Sequence, residues 1–147
     1  MTIVVDSSVV VAALVDDGPD GAWARGGLRG NVLAAPAHLH VEVSNVLRRA
    51  VLARRLGRDA AALAHRDLVQ LPVTTFPFEP LGDRVWELHP TVTAYDAAFV
   101  ALAEELGAPL WTLDRRLADA SGPRCTFRTP DPCAVTGRGR PAGPGPR

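Results

Sequence analysis

Short apolar runs alternate with helical segments along this chain, and that alternation restricts the fold more than any other feature of the sequence. The first run is rich in β-branched side chains, and strands are predicted at residues 3–5, 31–35, 73–76, 110–113 and 125–128. Helices are predicted between them, at residues 7–15, 20–29, 37–55, 59–71, 81–88, 93–106 and 115–120. Strands that alternate with helices form a parallel sheet with both faces covered. We therefore expect the α/β class, as a three-layer α/β/α domain whose central, mainly parallel sheet has four to five strands.

Length and composition indicate one domain followed by a short tail. The chain has 147 residues, enough for one core, and we assign residues 1–133 to the domain and the Gly/Pro/Arg-rich residues 134–147 to a disordered tail. No apolar run approaches the roughly 18 residues that a membrane span needs, and no signal peptide is visible, so we expect a cytoplasmic protein. Cys125 and Cys133 lack partners for a zinc site or a disulfide framework, and we interpret both as incidental.

The charges are balanced overall but unevenly distributed. Sixteen basic and sixteen acidic residues give a net charge of zero, which argues against strong nonspecific binding to nucleic acid. Every basic residue is an arginine, and the arginines cluster at residues 48–58 and 115–128. These clusters could contact an RNA backbone, bind an acidic partner segment or form an ordinary solvated surface, and the sequence leaves the three alternatives open.

Two acidic residues follow predicted strands directly. Asp6 ends the first strand, and Asp114 follows the strand at residues 110–113. Ligands of open α/β sheets bind beyond the carboxyl ends of the strands, so these acids could share one rim if the two strands are neighbours. Each could equally be the N-cap of the helix that follows it, because aspartate caps helices well.

A third acid, Glu42, borders the apolar stripe of the helix predicted at residues 37–55. Asn45 lies three residues further on, at the same polar edge of that helix. A solvated helix face with Glu42 near Arg49 is the alternative.

The fourth acid, Asp96, lies in the segment 93–106, which we interpret as an amphipathic helix. It shares the apolar stripe of that helix with Phe99, Ala103 and Leu106. A carboxylate that points inward must be protonated, paired or bound to a metal.

If these four acids converge, they repel one another, and no lysine is present to neutralise them. A hard divalent cation held by oxygen ligands resolves the repulsion, which indicates Mg²⁺ or Mn²⁺ rather than Zn²⁺. Such a site can activate water for hydrolysis of a phosphodiester.

Four segments together resemble the PIN domain, and most closely the VapC toxins. They are Val4-Val5-Asp6-Ser7-Ser8-Val9-Val10, Glu42 with Asn45 and Leu47-Arg48, Thr93-Ala94-Tyr95-Asp96-Ala97-Ala98, and Trp111-Thr112-Leu113-Asp114-Arg115-Arg116-Leu117. Each motif is short, but the four occur in the family's order over residues 2–127. The resemblance implies a PIN-like fold for the α/β/α domain, and it does not extend to the tail.

The resemblance also implies a site and an activity. Asp6, Glu42, Asp96 and Asp114 would be the catalytic acids that hold Mg²⁺ or Mn²⁺, with Ser7 or Ser8, Asn45 and Thr112 as supporting polar groups. Arg48, Arg49, Arg115 and Arg116 are the candidates for RNA binding. The activity would be endonucleolytic cleavage of RNA, often at a tRNA or rRNA site. The partner would be an antitoxin whose C-terminal segment blocks the acidic pocket, and a homodimer is expected. Asp119 could extend the cluster, but a solvated position explains it better.

Three other classes of protein share some of these features. A receiver module or a haloacid-dehalogenase-type phosphatase also places an aspartate after the first strand, but both rely on a lysine that this chain lacks, and the phosphatase wants an aspartate where Ser8 stands. No glycine-rich phosphate-binding loop follows a strand, which disfavours P-loop and dinucleotide-binding proteins. A PIN-like domain that binds RNA or protein without cleavage is the remaining alternative, and the intact set of acids favours catalysis over it.

Overall fold

A five-stranded parallel sheet forms the centre of the computed structural model, which describes residues 1–131. The strands are β1 (Thr2–Val5), β2 (Val32–Pro36), β3 (Val73–Phe76), β4 (Leu110–Trp111) and β5 (Phe127–Arg128). Their order is β3-β2-β1-β4-β5, and all four pairings are parallel. The predicted α/β class and five-stranded sheet are therefore confirmed. The predicted tail, the domain boundary at residue 133 and Cys133 lie outside the described residues.

Seven α-helices connect and flank these strands in residues 1–131. They are α1 (Ser7–Val15), α2 (Pro19–Arg29), α3 (Leu39–Leu52), α4 (Arg58–Val69), α5 (Gly82–Glu87), α6 (Ala94–Leu106) and α7 (Arg115–Ala118), with a 3₁₀ turn at Glu79–Leu81 before α5. Helix α1 packs against α2, α3 and α4, whereas α6 packs against α5 and the strands β1, β2 and β4. Within the described part of the chain, no helix is both long and apolar enough to cross a membrane.

The largest difference from the predicted elements is in α3, which is shorter than the predicted helix at both ends. Ala37 donates its backbone N–H to the carbonyl of Phe76 at 2.8 Å, so the chain is still bonded to the neighbouring strand there. At the other end Arg54 has a φ of 56°, a left-handed conformation that stops a right-handed helix. Long-range pairing and a turn therefore set the ends of α3.

Helix α6 runs through the core, and its prediction as an amphipathic helix is wrong for its middle. Every residue from Ala97 to Ala103 is buried, so the helix is enclosed on all sides there. Three residues were expected to share a helix face with Asp96. Two of them, Phe99 and Ala103, are buried, and the third, Leu106, is 37% exposed. Contact with three strands brings the first turn of α6 to the carboxyl edge of the sheet.

Strand β4 is fixed by aromatic packing as well as by its pairing with β1. The rings of Trp111 and Trp23 are stacked, with centroids 4.5 Å apart and an angle of 26° between the planes. Gly27 of α2 lies directly under the Trp111 ring, where a Cβ atom would overlap it. A glycine at this position therefore allows α2 to approach the end of β4.

Candidate active site

Asp6 lies at the centre of the candidate site, where strand β1 ends. It is 4% exposed and occupies the N-cap position of α1, yet its side chain makes no capping hydrogen bond. Its Oδ2 instead accepts hydrogen bonds from the hydroxyls of Ser8 and Thr112, each at 2.7 Å. Residues at the ends of β1 and β4 therefore orient the carboxylate. The alternative prediction, in which the Asp6 side chain caps helix α1, is wrong.

The same two hydroxyls fasten the ends of β1 and β4 together. The Ser8 hydroxyl accepts a hydrogen bond from the backbone N–H of Leu113 at 3.0 Å. Thr112 is fully buried, and its hydroxyl accepts a hydrogen bond from the backbone N–H of Asp114 at 3.0 Å. Because β1 and β4 are neighbours in the sheet, Asp6 and Asp114 lie at one rim, as the sequence allowed.

Of the two serines after Asp6, Ser8 makes the closer contact. The Ser7 hydroxyl is 3.4 Å from Asp6 Oδ1, a long hydrogen bond, and Ser7 itself is buried. The Ser7 hydroxyl also lowers the pKa of Glu42, which favours the charged form of that acid. Ser7 therefore lies between two of the predicted site acids.

Asp114 serves as a helix cap and as part of the acidic rim. Its Oδ1 accepts the backbone N–H groups of Arg116 at 2.9 Å and Leu117 at 3.4 Å, so the capping alternative is correct for this residue. Its charge also helps to raise the pKa of Asp96. Asp114 therefore caps helix α7 and also lies at the rim beside Asp96.

Glu42 reaches the same region from helix α3. Its side chain is 27% exposed, and Oε2 is buried without a hydrogen-bond partner in residues 1–131. Burial raises the pKa of Glu42, the negative charge of Asp6 raises it further, and that of Asp96 adds a smaller effect. The Ser7 hydroxyl and the charge of Arg49 oppose this shift only in part.

Asp96 enters from the first turn of helix α6 and is half-buried. Its backbone N–H donates to the hydroxyl of the N-cap residue Thr93 at 3.3 Å. Burial raises the pKa of Asp96, and the charges of Asp6 and Asp114 raise it further, while the Thr93 hydroxyl opposes them. All four predicted acids are thus electrostatically linked through Asp96 and Asp6.

His38 is a member of this neighbourhood that the sequence reasoning missed. Its Nε2 is 3.6 Å from Glu42 Oε2, beyond hydrogen-bond length, and its ring packs edge-on against Phe99 at 5.1 Å. Burial lowers the pKa of His38, although a backbone contact at Tyr95 and the charge of Asp6 oppose the shift, so the neutral form of the imidazole is favoured. The spacing of four residues between His38 and Glu42 could have indicated this contact, because residues four apart are neighbours on a helix surface.

The side chains of the cluster offer ligands of the kind that a hard divalent cation prefers. The acids supply oxygen ligands only, they are partly desolvated, and Glu42 Oε2 lacks a partner in the described chain. Within residues 1–131, no group of three or more Asp, Glu, His or Cys side chains is placed so that it could hold a metal ion by itself. Because Mg²⁺ keeps several waters and takes only one or two carboxylates directly, this donor set fits a hydrated Mg²⁺ or Mn²⁺.

Other predicted residues lie outside the hydrogen-bonded set. Asn45 is exposed, and its side chain has no hydrogen bond within the part of the chain that the structure describes. Asp119 is exposed, in agreement with its interpretation as a solvated residue. The four candidate RNA-binding arginines are also exposed; they are Arg48, Arg49, Arg115 and Arg116. The guanidinium of Arg115 donates a hydrogen bond to the carbonyl of Pro130 at 3.0 Å.

Comparison with known proteins shows the family of this chain. The model of the PIN domain family matches residues 3–123, and the chain belongs to this family. The chain is similar to Ribonuclease VapC12 of Mycobacterium tuberculosis (strain ATCC 25618 / H37Rv), with 39% identity over 120 residues that cover 82% of this chain and 92% of that protein. The resemblance to VapC proteins that the four motifs indicated is therefore confirmed.

Two solved structures share the fold. PAE2754 from Pyrobaculum aerophilum has a TM-score of 0.64 at 20% identity, with 86% of this chain and 83% of that chain covered. VapBC2 from Rickettsia felis, bound to a DNA fragment from their promoter, has a TM-score of 0.61 at 12% identity, with 88% of this chain and 98% of that chain covered.

Proposed function

We propose that this protein is a metal-dependent endoribonuclease that hydrolyses RNA phosphodiester bonds and acts as the toxin of a type II toxin–antitoxin pair. The observation that carries the proposal is the meeting of Asp6, Glu42 and Asp96, where burial and mutual repulsion raise the pKa values of Glu42 and Asp96. Such a cluster is costly at neutral pH unless a cation offsets it. Membership of the PIN domain family and the likeness to Ribonuclease VapC12 support RNA as the substrate.

The contacts of each acid suggest its part in the reaction. Asp6 is held by two short hydrogen bonds, which suits a fixed ligand for Mg²⁺ or Mn²⁺, and Asp96 and Asp114 would hold the ion directly or through its bound waters. A bound cation would supply a water of lowered pKa and offset the charge of the phosphate.

We assign proton acceptance to Glu42. Its Oε2 has no competing hydrogen-bond donor in the described residues, and its raised pKa brings it nearer to the working pH of a general base. In this scheme the oxygen of the attacking water forms a new bond to phosphorus and its proton passes to Glu42 Oε2. The P–O bond to the leaving oxygen breaks at the same time, and that oxygen takes up a proton from solvent.

RNA would reach the cluster along an arginine-lined surface. Arg48 and Arg49 lie on the helix that carries Glu42, and Arg115 and Arg116 follow Asp114, so both pairs flank acids of the site. Guanidinium groups bind phosphates, and with a net charge of zero the attraction must be local. A tRNA or rRNA site as the target is part of this proposal.

The proposal also includes an antitoxin partner, a homodimer and a cellular location. A cognate antitoxin would inhibit the enzyme by covering the acidic cluster with its C-terminal segment, which would exclude both the cation and RNA. A homodimer and a cytoplasmic location also belong to the proposal. Sedimentation of the purified protein, alone and with the antitoxin, measures both assemblies.

A cleavage assay on end-labelled tRNA and rRNA fragments tests the enzymatic part. We expect discrete cuts with Mg²⁺ or Mn²⁺, no cuts in EDTA, and recovery when either metal is restored. A parallel preparation of Asp6→Asn controls for contaminating nucleases. Undiminished cleavage in EDTA would contradict metal dependence, and wild-type protein that cuts no RNA with either metal would contradict the nuclease assignment.

A further inference from the structure

A small apolar pocket lies directly beside the acidic cluster. Its volume is about 300 Å³, at the lower end of the range for ligand sites, and it lies between the end of β2, the start of α6 and Phe78. Two of its lining residues adjoin the site acids: the His38 ring is 3.6 Å from Glu42, and Tyr95 directly precedes Asp96. The pocket therefore borders the acidic cluster through His38 and the first turn of α6.

The pocket differs chemically from the site beside it. No carboxylate or guanidinium lines it, and its only ionisable groups are the imidazole of His38 and the phenol of Tyr95. Two aromatic side chains at its mouth are largely open to solvent, Tyr95 at 68% and Phe78 at 55% exposure. The His38 ring stands edge-on to Tyr95, with centroids 6.0 Å apart, and so supports one side of it. These features suit a flat, uncharged ring better than a phosphate.

We propose that this pocket binds an unpaired RNA base adjacent to the scissile phosphate, stacked on Tyr95 with Phe78 as the second ring. The proposal rests on the endoribonuclease function and adds a substrate class to it. A phosphate held at the acids carries its neighbouring nucleotide past Tyr95, and aromatic stacking accepts any base because every base has a π-face.

The geometry also selects the form of the RNA. A base can enter the pocket only after leaving the stack of a helix, which is easy in loops and single strands and costly within a duplex. A base in this pocket is therefore an unpaired one, and stacking alone discriminates weakly between bases at this position.

Binding of short single-stranded RNAs, each with one 2-aminopurine in place of a base, tests the proposal without cleavage. Ca²⁺, which also takes oxygen ligands, replaces Mg²⁺ in this assay. We expect quenched fluorescence at one position of the RNA with the wild type and no quenching with a fully paired RNA of the same sequence. Tyr95→Ala should abolish the quenching and weaken the Kd by roughly tenfold, the scale of one lost base stack.

Two variants make the readout specific. Tyr95→Phe keeps the ring and should retain both quenching and affinity. Trp86→Ala removes an aromatic that is 72% exposed but stacked on His89 outside the pocket, and should change neither.

Each contrary result has one meaning. Equal Kd values and equal quenching for wild type and Tyr95→Ala would overturn the base pocket while leaving the nuclease proposal intact. If RNA binding is unchanged in Tyr95→Ala but inhibition by an antitoxin is lost, the pocket takes a protein side chain and the proposal is overturned as well. If quenching depends on Tyr95 but no RNA is cut with Mg²⁺ or Mn²⁺, the pocket stands and the endoribonuclease function falls.

Discussion

The hydroxyl of Thr112 donates a 2.7 Å hydrogen bond to Asp6 Oδ2 and thereby joins two residues that are 106 positions apart in the sequence. Both residues are buried, so water cannot replace this bond when it is removed. The bond lies at the paired ends of β1 and β4 and orients the central acid of the site.

Replacing Thr112 by valine is expected to lower both stability and activity. The change keeps the shape of the side chain but removes a hydrogen bond to a buried carboxylate, which is worth about 1.5–3 kcal/mol of the free energy of unfolding. Urea denaturation at neutral pH measures the loss. Thr74→Val, at an exposed position of β3, is the matched control and should change stability by less than about 0.5 kcal/mol. Equal stability of the two variants would show that Asp6 does not depend on Thr112.

Neutralising one acid of the cluster should abolish RNA cleavage without unfolding the protein. Loss of a residue that supports a metal ligand already costs about 10- to 100-fold, so Asp6→Asn and Asp96→Asn should lower kcat/KM by about 100-fold or more. Single-turnover cleavage with Mg²⁺, together with circular dichroism, measures activity and folding. Asp119→Asn, which removes an exposed acid outside the cluster, should keep wild-type activity. Full activity of either cluster variant would count against the mechanism.

The metal-free stability of Asp96→Asn relative to the wild type should increase with pH. Burial first, and then the charges of Asp6 and Asp114, raise the pKa of Asp96 above its ordinary value of 3.8, so the folded state binds this proton more tightly than the unfolded chain does. The wild type is therefore favoured at a pH below about 4, and it loses this contribution as the pH rises through the folded-state pKa.

Urea melts in EDTA between acid and neutral pH measure this difference, with Asp119→Asn as a control that shows no such trend. At neutral pH without metal, Asp96→Asn should be at least as stable as the wild type. Saturating Mg²⁺ should reverse the order, because a ligand at 100 times its Kd stabilises the wild type by about 2.7 kcal/mol. A less stable Asp96→Asn in EDTA would instead identify Asp96 as a structural hydrogen-bonding residue.

Two adjacent glycines of α2 allow a test of the packing behind the site. Gly27→Ala would place a Cβ atom against the Trp111 ring and should destabilise the protein by about 1–3 kcal/mol. Gly26→Ala has no neighbouring atom within 4 Å and should stabilise the helix by about 0.5–1 kcal/mol. Thermal melts of both variants measure the difference. If Gly27→Ala is no less stable than Gly26→Ala, the Trp111 ring moves aside easily and does not fix the end of β4.

The fold was predictable because its elements are locally encoded. The β-branched run before Asp6 and the turn residues between segments determine the strand and helix order, and β3 has the predicted bounds. The start of α3 was not predictable, because the bond from Ala37 to Phe76 depends on a strand that comes much later in the sequence. For the same reason the burial of α6 on all sides needed the sheet to be in place.

The site was partly predictable for a related reason. Four acids at strand ends and on helices are visible as a pattern, and the structure brings their charges into range of one another. The contact of His38 with Glu42 and the closer bond of Ser8, rather than Ser7, to Asp6 depend on side-chain orientation. A periodicity argument gives only the face of a helix, and so neither could be derived from the sequence.

The position of β1 in the middle of the sheet has a consequence for biosynthesis. β1 is translated first, but its neighbour β4 is among the last elements to leave the ribosome. Until then Asp6, Glu42 and Asp96 exist in the nascent chain without the strand that orients Asp6. The two strands that carry the hydrogen-bonded rim are therefore separated by most of the described chain, and Asp6 is oriented only once β4 has paired with β1.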